Sequence, residues 1–218
     1  MTTTEVLLLR HGEAVCNLAG LVGGPITCTG LTTLGAFQID TVARTLAPAL
    51  ADAPIHALYA GPRRRLRESG QILAQHLGIE LRIEQSLDGP RHGQADGQPW
   101  RVIKDAFGGG PHTHPDQPWA PGSETWSGYL HRATTALHRL LTRHDGERIV
   151  LACHGETIMA AHALLLDLTP RAAAAFTIEH ASLTWWQKER NRLGTERWLL
   201  RTHNDTRYRD DDTRKLIG

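Results

Sequence analysis

The chain has 218 residues, with 24 Lys plus Arg, 23 Asp plus Glu and 13 His. That length supports one sizeable α/β core, and the near cancellation of charge argues against a basic face for nucleic acid. Three cysteines (Cys16, Cys28, Cys153) without a CxxC pair suit a reducing compartment, and no run approaches the ~20 apolar residues of a membrane span. The opening "MTTTEVLLLRHGE" lacks the basic start and long apolar run of a signal peptide, so a cytoplasmic location is expected.

In chain order, Glu5–Leu9 reads as a short buried strand, followed by the Gly-rich loop "LAGLVGGPITCTG". "LTTLGAFQIDTVARTLAPAL" has helical spacing and is expected to stop near Pro48. "IHALYAGP" is a second strand, "RRRLRESGQILAQHLG" a helix closed by glycine, and "IELRIEQSL" a third strand. From Asp88 to Ser123 the chain is rich in Gly, Pro, His and Trp. This stretch predicts a covering excursion with one short helix at "WRVIKDAF". A long helix capped by Ser123, the strand "RIVLACHGE", the helix "TIMAAHALLLDL" and strands at "ASLTWWQK" and "ERWLLRTHN" complete the order. The alternation predicts an α/β fold: one three-layer domain over 1–218, its central sheet mostly parallel, with helices on both faces.

His11 and His154 each follow a strand end and precede a glycine, in matching His-Gly-Glu contexts. Ligands of open α/β sheets sit beyond the carboxyl ends of strands, so neighbouring strands would bring both imidazoles to one pocket. Arg10 adds a guanidinium fork suited to phosphate oxygens, and a neutral imidazole beside it is a nucleophile for phosphorus. His112 and His114 in "GGGPHTHPDQPW" lack clear third and fourth ligands for a metal, and read as loop residues able to face a substrate. Trp100, Trp119 and Trp126 either pack that loop down or line a pocket for an aromatic or sugar-like group.

"LLLRHGEAVCN" resembles the signature of the histidine phosphatase superfamily, the phosphoglycerate mutase-like fold. "PITCTGLTTLG", "ALYAGPRRRLRESGQIL", "APGSETWSGYLHR", "IVLACHGETI" and "THNDTRY" resemble further segments of that family in the same order. The resemblance implies that His11 becomes phosphohistidine. It also implies that Arg10, Arg65 and His154 hold the phosphoryl oxygens, helped by Asn17 and the backbone of Gly23 or Gly24. Arg63, Arg64 and Arg67 are expected on a solvated helix face. Neither a metal nor another cofactor is implied, because the arginines and His154 supply the positive charge.

The family's glutamate after the third strand, which protonates the leaving oxygen, falls here on Gly89 in "LDGPRHGQADG". Glu156, Asp88 and, more weakly, Asp96 are the candidate donors. The resulting expectation is a metal-independent phosphomonoesterase acting on a small organic phosphate, with neither nucleic acid nor membrane as partner; a homodimer is compatible with it. The alternatives are phosphoryl transfer of the phosphoglycerate mutase type and a catalytically quiet member that binds a phosphorylated ligand or protein.

Overall fold

The computed structural model describes residues 3–207. Its centre is a six-stranded sheet: β1 (Thr4–Arg10), β2 (Ala57–Ala60), β3 (Leu81–Ile83), β4 (Arg148–Cys153), β5 (Leu183–Arg190) and β6 (Glu196–Asp205). Their spatial order is β3-β2-β4-β1-β5-β6. The first four strands pair in parallel, whereas β5 runs antiparallel to both β1 and β6. The parallel part therefore ends at β1, beside β4. Register pairs Arg10 with Cys153 at the carboxyl ends of these two neighbours, which places His11 and His154 side by side.

Six helices complete the described fold: α1 (Val15–Leu18), α2 (Thr33–Ala49), α3 (Arg64–Leu77), α4 (Trp100–Phe107), α5 (Trp126–Arg143) and α6 (Gly155–Leu166). Strand side chains alternate between the two faces. Val6, Leu8, Ile149 and Leu151 meet α5 and α6, while Leu7, Leu9, Val150 and Ala152 meet α2 and α3. Both faces are thus covered, which is why β1 and β4 read as continuous apolar runs.

Several boundaries depart from expectation. The third strand is only three residues long and gives way to a 3-10 turn at Gln85–Leu87. The helix α2 does stop near Pro48, which is its penultimate residue. Thr125, not Ser123, caps α5 by accepting from the Gly128 N–H. Ser123 Oγ instead accepts from the Ala120 N–H and closes the preceding turn. The one-turn α1 has too few residues to show a period, and the tail segment "THNDTRY" extends into residues outside those described.

The excursion over residues 88–123 has its own small core. Val22, Ala95 and Trp119 are buried together, with Trp100, Ile103 and Phe107 packed around them. Backbone bonds from Val22 to the Gln98 carbonyl and from Trp100 to the Gly20 carbonyl tie it to the loop after α1. The excursion therefore roofs the carboxyl end of the sheet.

Candidate active site

At that end a cavity of about 360 Å³ is lined by Arg10, His11, Asn17, Gly23, Arg63, Arg65, His92, His154 and Glu156, among others. His11 and His154 are 3% and 1% exposed, and their rings stand edge to face with centroids 5.3 Å apart. His11 Nδ1 lies 2.7 Å from the Gly12 carbonyl, which can only accept. The proton therefore sits on Nδ1, and Nε2 keeps its lone pair. Arg65 Nε donates to that Nε2 at 3.2 Å. Burial, then the charges of Arg65 and Arg10, holds the His11 pKa well below the ordinary histidine value. The imidazole is thus neutral, as a nucleophile must be.

The opposite tautomer follows for His154. Its Nδ1 faces Arg65 Nη2 at 3.3 Å and must accept, so Nε2 carries the proton. That Nε2 is buried without a partner among the described residues, which leaves a donor for an incoming oxygen. Burial, then Arg65 and Arg63, also keeps His154 neutral.

Arg65 reaches both histidines and the Gly23 carbonyl, the last through Nη1 at 3.0 Å. Arg10 is held by the segment before β5, donating to the Ile178 carbonyl at 2.5 Å and facing His180 Nε2 at 3.0 Å. Its Nε is buried and unpartnered, a second donor available to an anion. Asn17 lines the cavity while its Oδ1 accepts from the Ala14 N–H at 3.2 Å. The Gly23 carbonyl faces the arginines, and a Cβ at Gly23 would lie 2.3 Å from Cys16 Sγ. Only glycine fits there without displacing Cys16.

The expectation for Arg63 is wrong. It is 4% exposed and donates to the Asp88 carboxylate at 2.7 Å and to the Gly23 and Pro90 carbonyls. Arg63 precedes α3 with extended backbone, so its side chain leaves the helical face that Arg64 and Arg67 expose. A run of three arginines carries no signal that separates them.

The candidate proton donors fall in different surroundings. Asp88 is tied to Arg63 and does not line the cavity. Asp96 accepts from the Gly24 and Ile26 N–H groups and from the Thr27 hydroxyl. These hydrogen bonds outweigh burial and lower its pKa, so Asp96 is a loop clamp and unsuited to donating a proton. It also occupies the N–H of Gly24, one of the two glycines whose backbone is a candidate for the phosphate pocket. Glu156 lines this cavity and a second, adjoining one, and its side chain makes no hydrogen bond among the described residues. A side chain at position 89 would force its neighbours to shift: a Cβ there would lie 2.8 Å from His154 Cδ2 and 3.2 Å from Arg63 Cζ. The space is already filled.

Two residues were not foreseen. His180 sits 5.6 Å from the His11 ring and contacts Arg10, but nothing in its local sequence marks it. His92 is 5% exposed where the two cavities meet, and burial and Arg63 lower its pKa to about 4. It packs against Trp100 and Trp119. Of the three tryptophans, Trp119 packs the excursion, whereas Trp100 and Trp126 line the adjoining cavity. His112 also lines that cavity, while His114 packs on Phe107. Among the described residues, no group of three or more His, Cys, Asp or Glu side chains is placed to hold a metal ion.

A metal-independent phosphoserine phosphatase of Arabidopsis thaliana is 25% identical over 210 residues, covering 94% of this chain and 83% of its own. Phosphoglycerate mutase-like protein 4 of the same plant is 28% identical over 159 residues, covering 71% and 67%. Among solved structures, a mycobacterial glucosyl-3-phosphoglycerate phosphatase with VO3 superposes with a TM-score of 0.76 at 24% identity, over 92% of this chain and 98% of that one. The family model of the histidine phosphatase superfamily (branch 1) matches residues 6–206, and the chain belongs to that superfamily.

Proposed function

We propose that the protein is a phosphomonoesterase that works through a phosphohistidine on His11 and needs no metal. The observation that carries this reading is the pair of complementary tautomers: a lone pair on His11 Nε2 and a free donor on His154 Nε2, bridged by Arg65. A phosphoryl group entering between them displaces the Arg65–His11 bond and receives donors from Arg10, Arg65 and His154. His11 Nε2 then attacks phosphorus as the ester P–O bond breaks, and the leaving oxygen takes a proton from Glu156. In the second step water attacks the phosphohistidine, Glu156 accepts the water proton, and the P–N bond breaks to release inorganic phosphate. The guanidinium groups carry the charge stabilisation that a metal ion carries in other phosphoryl-transfer sites.

Rapid quench with a phosphate-labelled ester is expected to trap an acid-labile phosphoenzyme in the wild type and none in His11→Ala, whose turnover is abolished. Turnover in His11→Ala above a trace would overturn the assignment. Release of inorganic phosphate without an isomeric ester separates hydrolysis from mutase chemistry.

A further inference from the structure

Beside the His11 cavity lies a larger one of about 470 Å³, and the two share Pro90, His92, Trp100, Lys104 and Glu156. An ester whose phosphorus sits against His11 and whose alcohol outgrows the first cavity can extend it across this shared rim. Resting on the phosphatase reading above, we propose that this second cavity selects phosphomonoesters of a bulky, apolar, uncharged alcohol.

The walls carry the argument. Trp100, Trp126, Leu130, Met159, Ala163 and Phe176 supply aromatic and aliphatic surface. Glu156, Met159 and Ala163 stand at i, i+3 and i+7 of α6, so one helix face presents both the carboxylate at the rim and the apolar wall behind it. The volume lies within the range of sites that enclose a drug-sized ligand, far more than a seryl or glyceryl group fills.

Charge is confined to the near end. Glu156 is at the shared rim, and Lys104, also at the rim, sits over the Trp100 ring at 5.5 Å. Beyond them the lining offers only His112 as a titratable side chain. A compact amino acid phosphate would find its charged partners at the rim and leave the apolar space wet. A sugar would carry several hydroxyls past walls with few side-chain partners, at a cost for each one unmet. An apolar body loses nothing there and gains by desolvation. Each buried methylene adds about fourfold to kcat/KM.

The test compares alkyl esters of similar leaving ability on the full chain: 2-naphthylmethyl phosphate, methyl phosphate, O-phosphoserine and glucose 6-phosphate. The expected kcat/KM for the naphthylmethyl ester exceeds that for methyl phosphate by about a hundredfold or more, with O-phosphoserine and glucose 6-phosphate near methyl phosphate. Ala163→Trp, which fills the cavity from α6, is expected to shrink the naphthylmethyl-to-methyl ratio by about tenfold or more. Met159→Arg, which puts a charge on the same wall, gives an independent route to that loss should the tryptophan variant misfold. A ratio near one, a preference for phosphoserine or the sugar phosphate, or variants that lower both esters equally would overturn this inference and leave the phosphatase reading intact. No phosphate from any ester would overturn both.

Discussion

In the proposed mechanism Glu156 does the work that a glutamate at position 89 would otherwise do, and the two positions ask different things of the backbone. Position 89 lies against His154 and Arg63, where even a Cβ would force its neighbours to shift. Glu156 reaches the same region from the first turn of α6, two residues after His154, so few bonds fix its distance from the phosphoryl site. A proton donor matters most when the departing alkoxide is a poor leaving group, and it is worth ~10²–10⁴ in rate. Glu156→Gln is therefore expected to lower kcat on alkyl phosphates by about a hundredfold or more while sparing p-nitrophenyl phosphate, whose phenolate leaves unaided. Equal loss on both esters would mean that Glu156 only supports the pocket, and Asp88→Asn run beside it reports on the other carboxylate. Arg10, His11 and His154 stand out in the sequence because strand ends and neighbouring glycines leave a visible pattern, whereas Arg65 follows only from the family resemblance; the fold brings all four to one cavity. The sequence could not separate Arg63 from Arg64, because the difference is one backbone angle at the entry to α3.

At the scale of elements, the site depends on how the segment after β3 is pinned. Arg132 on α5 donates to the Asp88 and Gly89 carbonyls at 3.0 and 3.1 Å, and its guanidinium also grips Glu124 at 2.8 and 2.9 Å. One planar fork thus fixes the backbone that presses on His154 and joins it to the segment preceding α5. Arg132→Met leaves carbonyls and a carboxylate without partners, and is expected to cost about 1–3 kcal/mol in urea unfolding. Arg132→Lys is expected to recover only part of this, since an ammonium cannot span the same acceptors. A lysine variant as stable as the wild type would show that charge alone suffices. The strands and helices that make this frame were legible from apolar periodicity. The covering segment was legible only as an excursion, because its core of Val22, Ala95 and Trp119 draws on residues far apart in sequence. The antiparallel direction of β5 and β6 was invisible for a related reason: strand direction is set by connection and register, which composition does not encode.

At the scale of the molecule, four of the buried imidazoles among the described residues make folding sensitive to acid. Burial lowers the pKa of His11 and His154 well below the ordinary value, and that of His92 and His162 to about 4. His162 is fully buried against Phe176 and Trp186, away from the catalytic pair. A histidine with a lowered folded-state pKa binds fewer protons folded than unfolded, so stability rises with pH up to about 6.5 and falls below it. For His92 and His162 the window runs from about 6.5 down to about 4, and for the other two it extends downward from the same upper limit. Hydrogen-bonded carboxylates such as Asp96 and Glu124 have lowered values too, but theirs is a separate window: their contribution is present above the ordinary carboxylate range and lost only further into acid. Each buried imidazole contributes up to about 1.4 kcal/mol per pH unit below 6.5, a large share of the 5–15 kcal/mol typical of a folded protein. The urea midpoint is therefore expected to hold between pH 8 and 7 and then drop steeply from pH 6.5 to 5.5. A midpoint unchanged down to pH 5.5 would mean that these rings take up protons inside the fold. Because burial holds the His11 pKa well below the ordinary histidine value, loss of activity on mild acidification is expected to follow unfolding rather than titration of His11, and far-UV circular dichroism recorded beside turnover distinguishes the two.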